Sequence, residues 1–269
     1  MCGRFGLGNP ERLDGFMHRY AFPEVGMAAP RFNITPSADI PIVLTIDGAL
    51  VSALARWGLV PSWAKDESVG TRLVQARGET VHEKPSYRSA LKSRRGLLPL
   101  DLFYEWQAVA GQKVQQPWCI RMRDDEPFAM AALWETWLSP HSTDGAFLLS
   151  CCVLTTPSNH SLKHIHDRMP LVLYPDDYEQ WLDPKTKPDV VQEFIRPYPL
   201  DGLHGYKVST WVNNPSHNDA RCVEPLRDDS VNSEVHSADT TTTKLTEKIA
   251  PAPEIETAAR KSPQLDAFN

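Results

Sequence analysis

The sequence predicts an α+β domain with a curved, barrel-like antiparallel β core, a few short flanking helices and a disordered C-terminal tail. Short segments rich in β-branched and aromatic residues recur along the chain and are separated by many of its 23 prolines. Segments with helical spacing are few, which is typical of this class. After residue 226 aromatic residues become rare and Asp, Ser, Thr and Pro dominate. We therefore expect a folded domain over residues 1–226 and a disordered acidic tail over 227–269.

Three helices are predicted from the spacing of their apolar residues. The first covers residues 10–20, where apolar side chains recur every three to four positions after Pro10. The second covers residues 87–93 and the third residues 176–182. Their short lengths indicate that they cover the β core rather than form a bundle.

Five strands are predicted between and after these helices. They cover residues 41–44, 50–55, 118–122, 129–133 and 147–154. The first two are expected to form a hairpin through Asp47-Gly48, because both residues tolerate the positive φ of a tight turn.

Composition limits the possible functions. A hydrophobic fraction of 41% is sufficient for a packed core, and the net charge of −6 gives no general basic surface. Any contact with nucleic acid must therefore come from a local patch. The sequence shows no secretory leader and no apolar run of roughly 18 residues, so we expect a cytoplasmic protein with no membrane partner.

The five cysteines are odd in number and show no C-x-x-C spacing. This pattern argues against a disulfide framework and against a zinc ribbon. We expect Cys119, Cys151, Cys152 and Cys222 to be buried thiols.

Cys2 directly follows the initiator methionine. Removal of Met1 would place an α-amine beside a thiol, two groups whose ordinary pKa values lie close enough to neutrality for both to act as nucleophiles. Three interpretations are open. The thiol attacks an amide with the amine as its base, or the amine condenses with an aldehyde and the thiol closes a thiazolidine, or Cys2 is merely a small residue that permits trimming.

Glu105 lies among three aromatic residues in Phe103-Tyr104-Glu105-Trp106. Burial beside aromatic surface raises the pKa of a carboxyl group unless a cation or a donor faces it, and an N-terminal ammonium would be such a cation. Glu105 is therefore either a proton-transfer group or an outward-facing residue of a strand.

Residues 160–170 combine His160, His164 and His166 with Asp167 and Arg168. His166, between titratable neighbours, is a candidate general acid and base. A metal site is the alternative, but no further ligand stands at a recognisable spacing. We predict neither a metal nor a cofactor.

Arginine and tryptophan residues supply the candidate contacts to DNA. Arg4, Arg77 and Arg168 are candidates for phosphate contacts. Trp57 and Trp63 are candidates for stacking on bases, although each is also a candidate core residue.

Six motifs occur in one order along the chain. They are Met1-Cys2-Gly3-Arg4-Phe5, Arg31-Phe32-Asn33 with Pro36, Trp57-Gly58-Leu59 with Pro61 and Trp63, Ala76-Arg77 with Glu79-Thr80, Phe103-Tyr104-Glu105-Trp106, and Ile165-His166-Asp167-Arg168-Met169-Pro170. In this combination the sequence resembles the SRAP family, the SOS response-associated peptidases that process abasic sites. The resemblance covers residues 1 to about 226.

The resemblance implies an enzyme that loses Met1, by autoproteolysis or by an aminopeptidase, and then captures the ring-opened abasic site in single-stranded DNA. Cys2 would form a thiazolidine crosslink through Schiff-base, lyase-type chemistry. Glu105 would manage the proton of the α-amine, His166 would act as acid and base on the sugar oxygen, and the amide of Gln75 would bind the sugar. The residues it assigns to DNA contact are Arg4, Asn33, Pro36, Trp63, Arg77 and Arg168. It also places the protein on the nucleoid at replication forks.

Two positions depart from the family pattern. Gln75 stands where the family usually has Asn, which extends the amide by one methylene. Leu102 stands where a small residue is usual, and we expect it to narrow the channel beside Glu105.

The tail ends in Gln264-Leu265-Asp266-Ala267-Phe268. This segment resembles the pentapeptide by which bacterial proteins dock on the replication sliding clamp, with Ala267 where Leu is usual. Gln264, Leu265 and Phe268 would be its contacts, displayed on a flexible tether.

Two other functions are open. A class II glutamine amidotransferase-type amidohydrolase also begins Met-Cys-Gly, but it needs an oxyanion hole that usually comes from an Asn-Gly pair, and this sequence has none. A noncatalytic single-strand binding module is the third possibility, and it is supported only by the Gln75 substitution.

Overall fold

The computed structural model describes residues 3–24, 29–139, 147–199 and 201–226. The chain divides into two compact units, Met1–Arg227 and Asp228–Asn269. The second unit, with the predicted disordered tail and the clamp-binding residues Gln264, Leu265 and Phe268, lies outside the described residues.

The described residues form twelve strands, four α-helices and several single 3-10 turns. In chain order the strands are β1 (Phe5–Leu7), β2 (Arg31–Ile34), β3 (Asp39–Ile46), β4 (Ala49–Trp57), β5 (Gln75–Arg77), β6 (Arg95–Leu100), β7 (Leu102–Gln107), β8 (Gln116–Met122), β9 (Phe128–Leu138), β10 (Phe147–Pro157), β11 (Arg168–Pro170) and β12 (Leu203–Lys207). The helices are α1 (Pro10–Arg19), α2 (Arg88–Ser93), α3 (Tyr178–Leu182) and α4 (Pro188–Glu193).

The strands form two sheets. Strands β12, β8, β7, β1 and β2 follow one another in an antiparallel sheet. Strands β10, β4, β3, β6 and β9 follow one another in the second sheet, and β9 pairs again with β10, which closes a five-stranded barrel. The predicted α+β class with a barrel-like core is confirmed. Two pairings of β10, with β4 and with β5, are parallel rather than antiparallel.

Most barrel strands are buried on both faces, so their sequences read as nearly continuous apolar runs. One face packs against the first sheet and forms what we call the central core, which includes Phe5, Ile42, Trp57, Phe103 and Val153. The other face packs against the helices through residues that include Phe16, Val43, Leu91, Leu154 and Trp181. The central core therefore lies between the two sheets.

Local signals explain the predicted elements. Helix α1 begins after Asn9, whose side chain accepts the backbone N–H of Arg12, and Pro10 occupies its first turn. The predicted turn at Asp47-Gly48 is present, with φ of 51° and 82° at the two residues. The third predicted helix is split, because a 3-10 turn over Pro175–Asp177 precedes α3.

The cysteine prediction is confirmed for the four described cysteines. Cys119, Cys151, Cys152 and Cys222 are free and buried. Burial raises the pKa of all four thiols, which keeps them protonated and unreactive. No helix among the described residues is long and apolar enough to cross a membrane.

Candidate active site

Pairing of β1 with β7 carries the N-terminal end of the chain toward Glu105. The backbone N–H of Tyr104 donates to the carbonyl oxygen of Arg4 at 2.9 Å. Because antiparallel neighbours face each other in order, the next pair along is Gly3 and Glu105. Cys2, the predicted nucleophile, directly precedes Gly3 in the chain and lies outside the described residues.

Glu105 is a buried carboxyl group, with only 2% of its surface exposed. It shares a face of β7 with Phe103 of the central core and is paired in register with Trp118 of β8. Burial raises the pKa of Glu105 to about 7, and the neighbouring Asp167 carboxylate acts in the same direction. At neutral pH the group can therefore either accept or donate a proton.

Gln107 binds residues 160–170, here called the histidine segment, to the part of the first sheet that carries Glu105. It lies two residues beyond Glu105 and thus on the same face of β7. Its Nε2 donates to the carbonyl oxygen of His164 at 2.9 Å, and its Oε1 accepts the indole N–H of Trp118 at 3.1 Å. The His164 ring meets Trp118 edge to face at 5.3 Å. These contacts hold the segment that carries His166 against β7 and β8, and Asp167 of that segment acts on the pKa of Glu105.

The imidazole of His166 has a defined hydrogen-bonding arrangement. Its Nδ1 accepts the backbone N–H of Arg168 at 3.0 Å and lies 3.1 Å from Oδ1 of Asp167. A nitrogen that accepts an N–H carries no proton, so the neutral ring holds its proton on Nε2. Burial lowers the pKa of His166, which favours this neutral form at pH 7.

Gln75 and Arg77 approach the central core from the second sheet. Both lie on β5, where they pair with Val153 and Thr155 of β10. Since paired residues in a parallel ladder share a face, Gln75 is on the side of the central core member Val153. Gln75 is half-buried and Arg77 is exposed.

Arg168 is largely enclosed, with 11% of its side chain exposed. Its guanidinium donates to both carboxylate oxygens of Glu79, and also to the carbonyl oxygen and Oγ1 of Thr155 at 2.7 and 2.9 Å. The charge of Arg168 is thus already paired within the protein.

Arg4 and Asn33 lie on the opposite side of β7 from Glu105. Nη1 of Arg4 donates to Oδ1 of Asn33 at 2.6 Å and to the carbonyl oxygen of Val212 at 2.8 Å, and the guanidinium lies 5.5 Å from the ring centroid of Trp106. Asn33 is 5% exposed and donates to three carbonyl oxygens within residues 212–217. Both side chains anchor β1 to the C-terminal part of the domain.

The remaining predicted DNA contacts differ in exposure. Trp63 is 62% exposed on the loop after β4, which suits it for stacking. Pro36 is half-buried, in the turn before β3. Trp57 is fully buried and its indole N–H donates to the carbonyl oxygen of Val74 at 2.9 Å. Stacking of Trp57 on a base is therefore wrong, and its alternative as a core residue is confirmed.

The expectation for Leu102 is also wrong. Leu102 is buried against Tyr104 on the face of β7 that points away from Glu105. Because side chains alternate along a strand, residue 102 cannot share the face of residue 105. It does not narrow the surroundings of the Glu105 carboxyl.

A family comparison decides the classification. The model of the SRAP family, described as SOS response associated peptidase, matches residues 1–215. The chain belongs to the SRAP family. Among similar members, the abasic site processing protein YoqW of Bacillus subtilis (strain 168) is 38% identical over 227 residues, which are 83% of this chain and 99% of YoqW. YoaM of the same strain, also named abasic site processing protein, is 39% identical and is covered to 98%.

A more distant SRAP relative is the abasic site processing protein HMCES of Xenopus tropicalis. It is 29% identical over 229 residues, which are 73% of this chain and 66% of HMCES. Solved structures show the SRAP fold in other bacteria. A protein from Bacteroides thetaiotaomicron matches with a TM-score of 0.72 at 22% identity, covering 83% of this chain and all of that one. One from Bordetella bronchiseptica matches with a TM-score of 0.65 at 22% identity, covering 77% of this chain and all of that one.

The sequence reasoning missed three residues that shape this SRAP site. Gln107 and Trp118 dock the histidine segment, and Glu79 pairs with Arg168. Gln107 was detectable, because a strand through Glu105 places it on the same face. Trp118 and Glu79 gave no such signal, since their contacts depend on the fold.

Proposed function

We propose that this protein processes abasic sites in single-stranded DNA by forming a covalent crosslink through Cys2 after loss of Met1. Relatives that bear the name abasic site processing protein support the substrate. The single observation that carries the chemistry is the buried carboxyl group of Glu105 on β7, one residue beyond the hydrogen bond from Tyr104 to Arg4, so that the β1–β7 register extends it toward the residue next to Cys2. Burial raises the pKa of this carboxyl to about 7. A proton acceptor at this position suits a nucleophile made from the chain terminus.

The proposed reaction has three steps. The α-amine of Cys2 gives its proton to Glu105 and attacks the aldehyde carbon of the ring-opened sugar. The resulting carbinolamine loses water to form an imine. The thiol of Cys2 then adds to the imine carbon, and its proton moves to the nitrogen, so that a thiazolidine forms with the net loss of one water. Amine and thiol on adjacent carbons make the last step intramolecular and therefore favourable.

His166 would serve the ring-opening step. Its Nε2–H can donate a hydrogen bond to the sugar ring oxygen as the bond from that oxygen to the anomeric carbon breaks. The proton of the anomeric hydroxyl passes through water to that oxygen, the hydroxyl becomes the carbonyl, and the imidazole stays neutral. The same group would act in reverse when the crosslink is hydrolysed. The amide of Gln75 would bind the open sugar.

Exposed groups would hold the DNA strand. Trp63 presents an exposed ring for stacking on a base, and Arg77 presents an exposed guanidinium for a phosphate. Arg4, Asn33 and Pro36 would contribute indirectly by shaping the pocket, since Nη1 of Arg4 and the amide of Asn33 bond to protein partners.

The tail supplies a second, separate proposal. Residues 264–268 would dock on the replication sliding clamp, which would bring the protein to the nucleoid at replication forks. Measuring clamp binding of a peptide over residues 262–269 tests this, and no binding at high micromolar concentration would reject it.

The crosslink itself is tested with mature protein and an oligonucleotide that bears one abasic site. We expect a band that survives boiling in detergent, and its loss in Cys2→Ala but not in the control Cys222→Ala. Intact oligonucleotide should give no band. Binding without a crosslink, with Met1 shown to be absent, would favour the noncatalytic module, and release of ammonia from glutamine would favour the amidohydrolase.

A further inference from the structure

We propose that Glu79 is a positioning residue that sets the proton of His166 through Arg168. The catalytic consequence rests on the proposed function, whereas the positioning itself does not. Glu79 and Arg168 belong to two separate segments that carry candidate site residues, and their ion pair joins the two.

The ion pair between Glu79 and Arg168 connects two segments that are distant in the sequence. Glu79 lies in the 3-10 turn Gly78–Thr80, which directly follows β5 with Gln75 and Arg77. Arg168 begins β11, two residues after His166. The ion pair therefore ties the segment of Gln75 to the segment of His166 across 89 residues of sequence.

The contacts of the pair hold the side chain of Arg168 and thereby restrain the start of β11. Its guanidinium is held on both carboxylate oxygens of Glu79 and on two oxygens of Thr155. A bidentate pair on an enclosed arginine restricts orientation more than a single surface contact does. The pKa of Glu79 is lowered by the hydrogen bond from Arg168, so the carboxylate stays ionised through the neutral range. The backbone N–H of Arg168 is thereby kept on Nδ1 of His166.

Two hydrogen-bonding states compete at that nitrogen. In the described state Nδ1 accepts the N–H of Arg168 at 3.0 Å, and the proton of the neutral ring is on Nε2. In the competing state Nδ1 carries a proton and donates to Asp167, whose Oδ1 is 3.1 Å away. Loosening Arg168 removes the N–H that excludes the second state. Only the first state offers Nε2–H as a hydrogen-bond donor from an uncharged ring.

The rival role of this pair is release of Arg168 to a DNA phosphate, as the sequence suggested. The two roles make opposite forecasts for Glu79→Gln. A freed guanidinium would tighten DNA binding, because each phosphate contact adds affinity. Weakening of the Glu79–Arg168 pair would slow the chemical step and leave the affinity for DNA unchanged.

The first experiment needs no DNA. Protein with ¹⁵N-labelled histidine is examined by two-bond ¹H–¹⁵N correlation, which separates protonated from unprotonated ring nitrogens. We expect His166 of the wild type to show a protonated Nε2 and an unprotonated Nδ1, and Glu79→Gln to show averaged shifts. Glu83→Gln, which removes an exposed acid four residues after Glu79 that forms an ion pair with His82, should match the wild type. An unchanged His166 pattern in Glu79→Gln would overturn the proposal.

The second experiment measures single-turnover crosslinking beside the Kd for the same strand without the lesion. Glu79→Gln should slow crosslinking roughly tenfold, a part of the 10²- to 10⁴-fold that proton transfer contributes, with Kd unchanged. Glu79→Asp, which keeps the charge, should recover part of both the rate and the tautomer pattern. A tighter Kd with an unchanged rate would overturn the proposal. If no variant crosslinks at all, the proposed function fails, but the tautomer result stands.

Discussion

Arg4 and Asn33 are joined by a hydrogen bond of 2.6 Å from Nη1 to Oδ1, on the side of β7 that points away from Glu105. Asn33 completes the link by donating to three carbonyl oxygens within residues 212–217. The strand that leads to Cys2 is therefore held by the C-terminal part of the domain. The DNA contact expected of both residues stays a prediction, and in the structure Nη1 of Arg4 and the amide of Asn33 make these anchoring contacts.

Asn33→Ala should destabilise the domain by about 2–4 kcal/mol, because it leaves one guanidinium N–H and several buried carbonyl oxygens without this partner. The midpoint and slope of guanidinium unfolding measure the loss. Asn213→Ala removes a single hydrogen bond, from Trp106, and should cost about 1 kcal/mol. Equal losses in the two variants would contradict the anchoring role.

The raised pKa of Glu105 makes the stability of the wild type depend on pH. In the unfolded chain this carboxyl ionises near its ordinary pKa of 4.5, whereas in the folded protein it ionises near 7. The stabilising contribution of the protonated group is full below pH 4.5 and is lost as the pH rises toward 7. Relative to Glu105→Gln, the wild type should lose about 3 kcal/mol across this window, at about 1.4 kcal/mol for each pH unit. A constant difference between the two proteins from pH 4 to 8 would be incompatible with a raised pKa.

In the proposed mechanism the ionised form of Glu105 accepts the α-amine proton. The crosslinking rate of the wild type should therefore rise about tenfold per pH unit below pH 7 and level off above it. Glu105→Gln should be slower by about 10²-fold and should lose this inflection. Glu135→Gln offers a control, since Glu135 is also buried but pairs with Arg94. Its profile should follow that of the wild type.

His166 is expected to matter at least as much for reversal as for formation of the crosslink. Purified adduct of His166→Ala should release DNA more slowly than the wild-type adduct by about 10²-fold, because it loses the hydrogen bond that assists the sugar oxygen as that oxygen closes on the aldehyde freed by hydrolysis. His160→Ala changes an exposed histidine of the same segment and should release DNA at the wild-type rate. Similar release from both variants would remove His166 from the mechanism.

Much of the fold was predictable where local signals were strong. Helix α1 has a cap, a proline in its first turn and a clear apolar period, and the β3–β4 hairpin has its Asp47-Gly48 turn. Strands β1 and β5 have only three residues each, too few for a period to be recognised. The start of β6 could not be predicted, because a charged residue such as Arg95 argues against a buried strand. Its guanidinium is buried because carbonyl oxygens of α2, α3 and the residue after α3 accept its N–H groups.

The residue types of the site could be predicted from the sequence, but most of the contacts between its side chains could not. The aromatic neighbours of Glu105 indicated burial, which the structure bears out. The face of Leu102 follows from alternation along a strand through Glu105 and was detectable from the sequence. The face of Arg4 follows from the register between β1 and β7, which the sequence does not reveal. The partners of Asn33 lie about 180 residues away along the chain. Contacts between residues this far apart in the sequence depend on the topology of the fold, so no local sequence pattern predicts them.

Mass spectrometry of the adduct tests the central claim most directly. Mature protein is incubated with a short single-stranded oligonucleotide carrying one abasic site, digested, and the DNA-bearing peptide is sequenced. We expect the N-terminal peptide without Met1, joined to DNA at Cys2, with the mass of the two reactants less one water. Attachment at any other residue, or an adduct that forms equally well when Met1 is retained, would contradict the account.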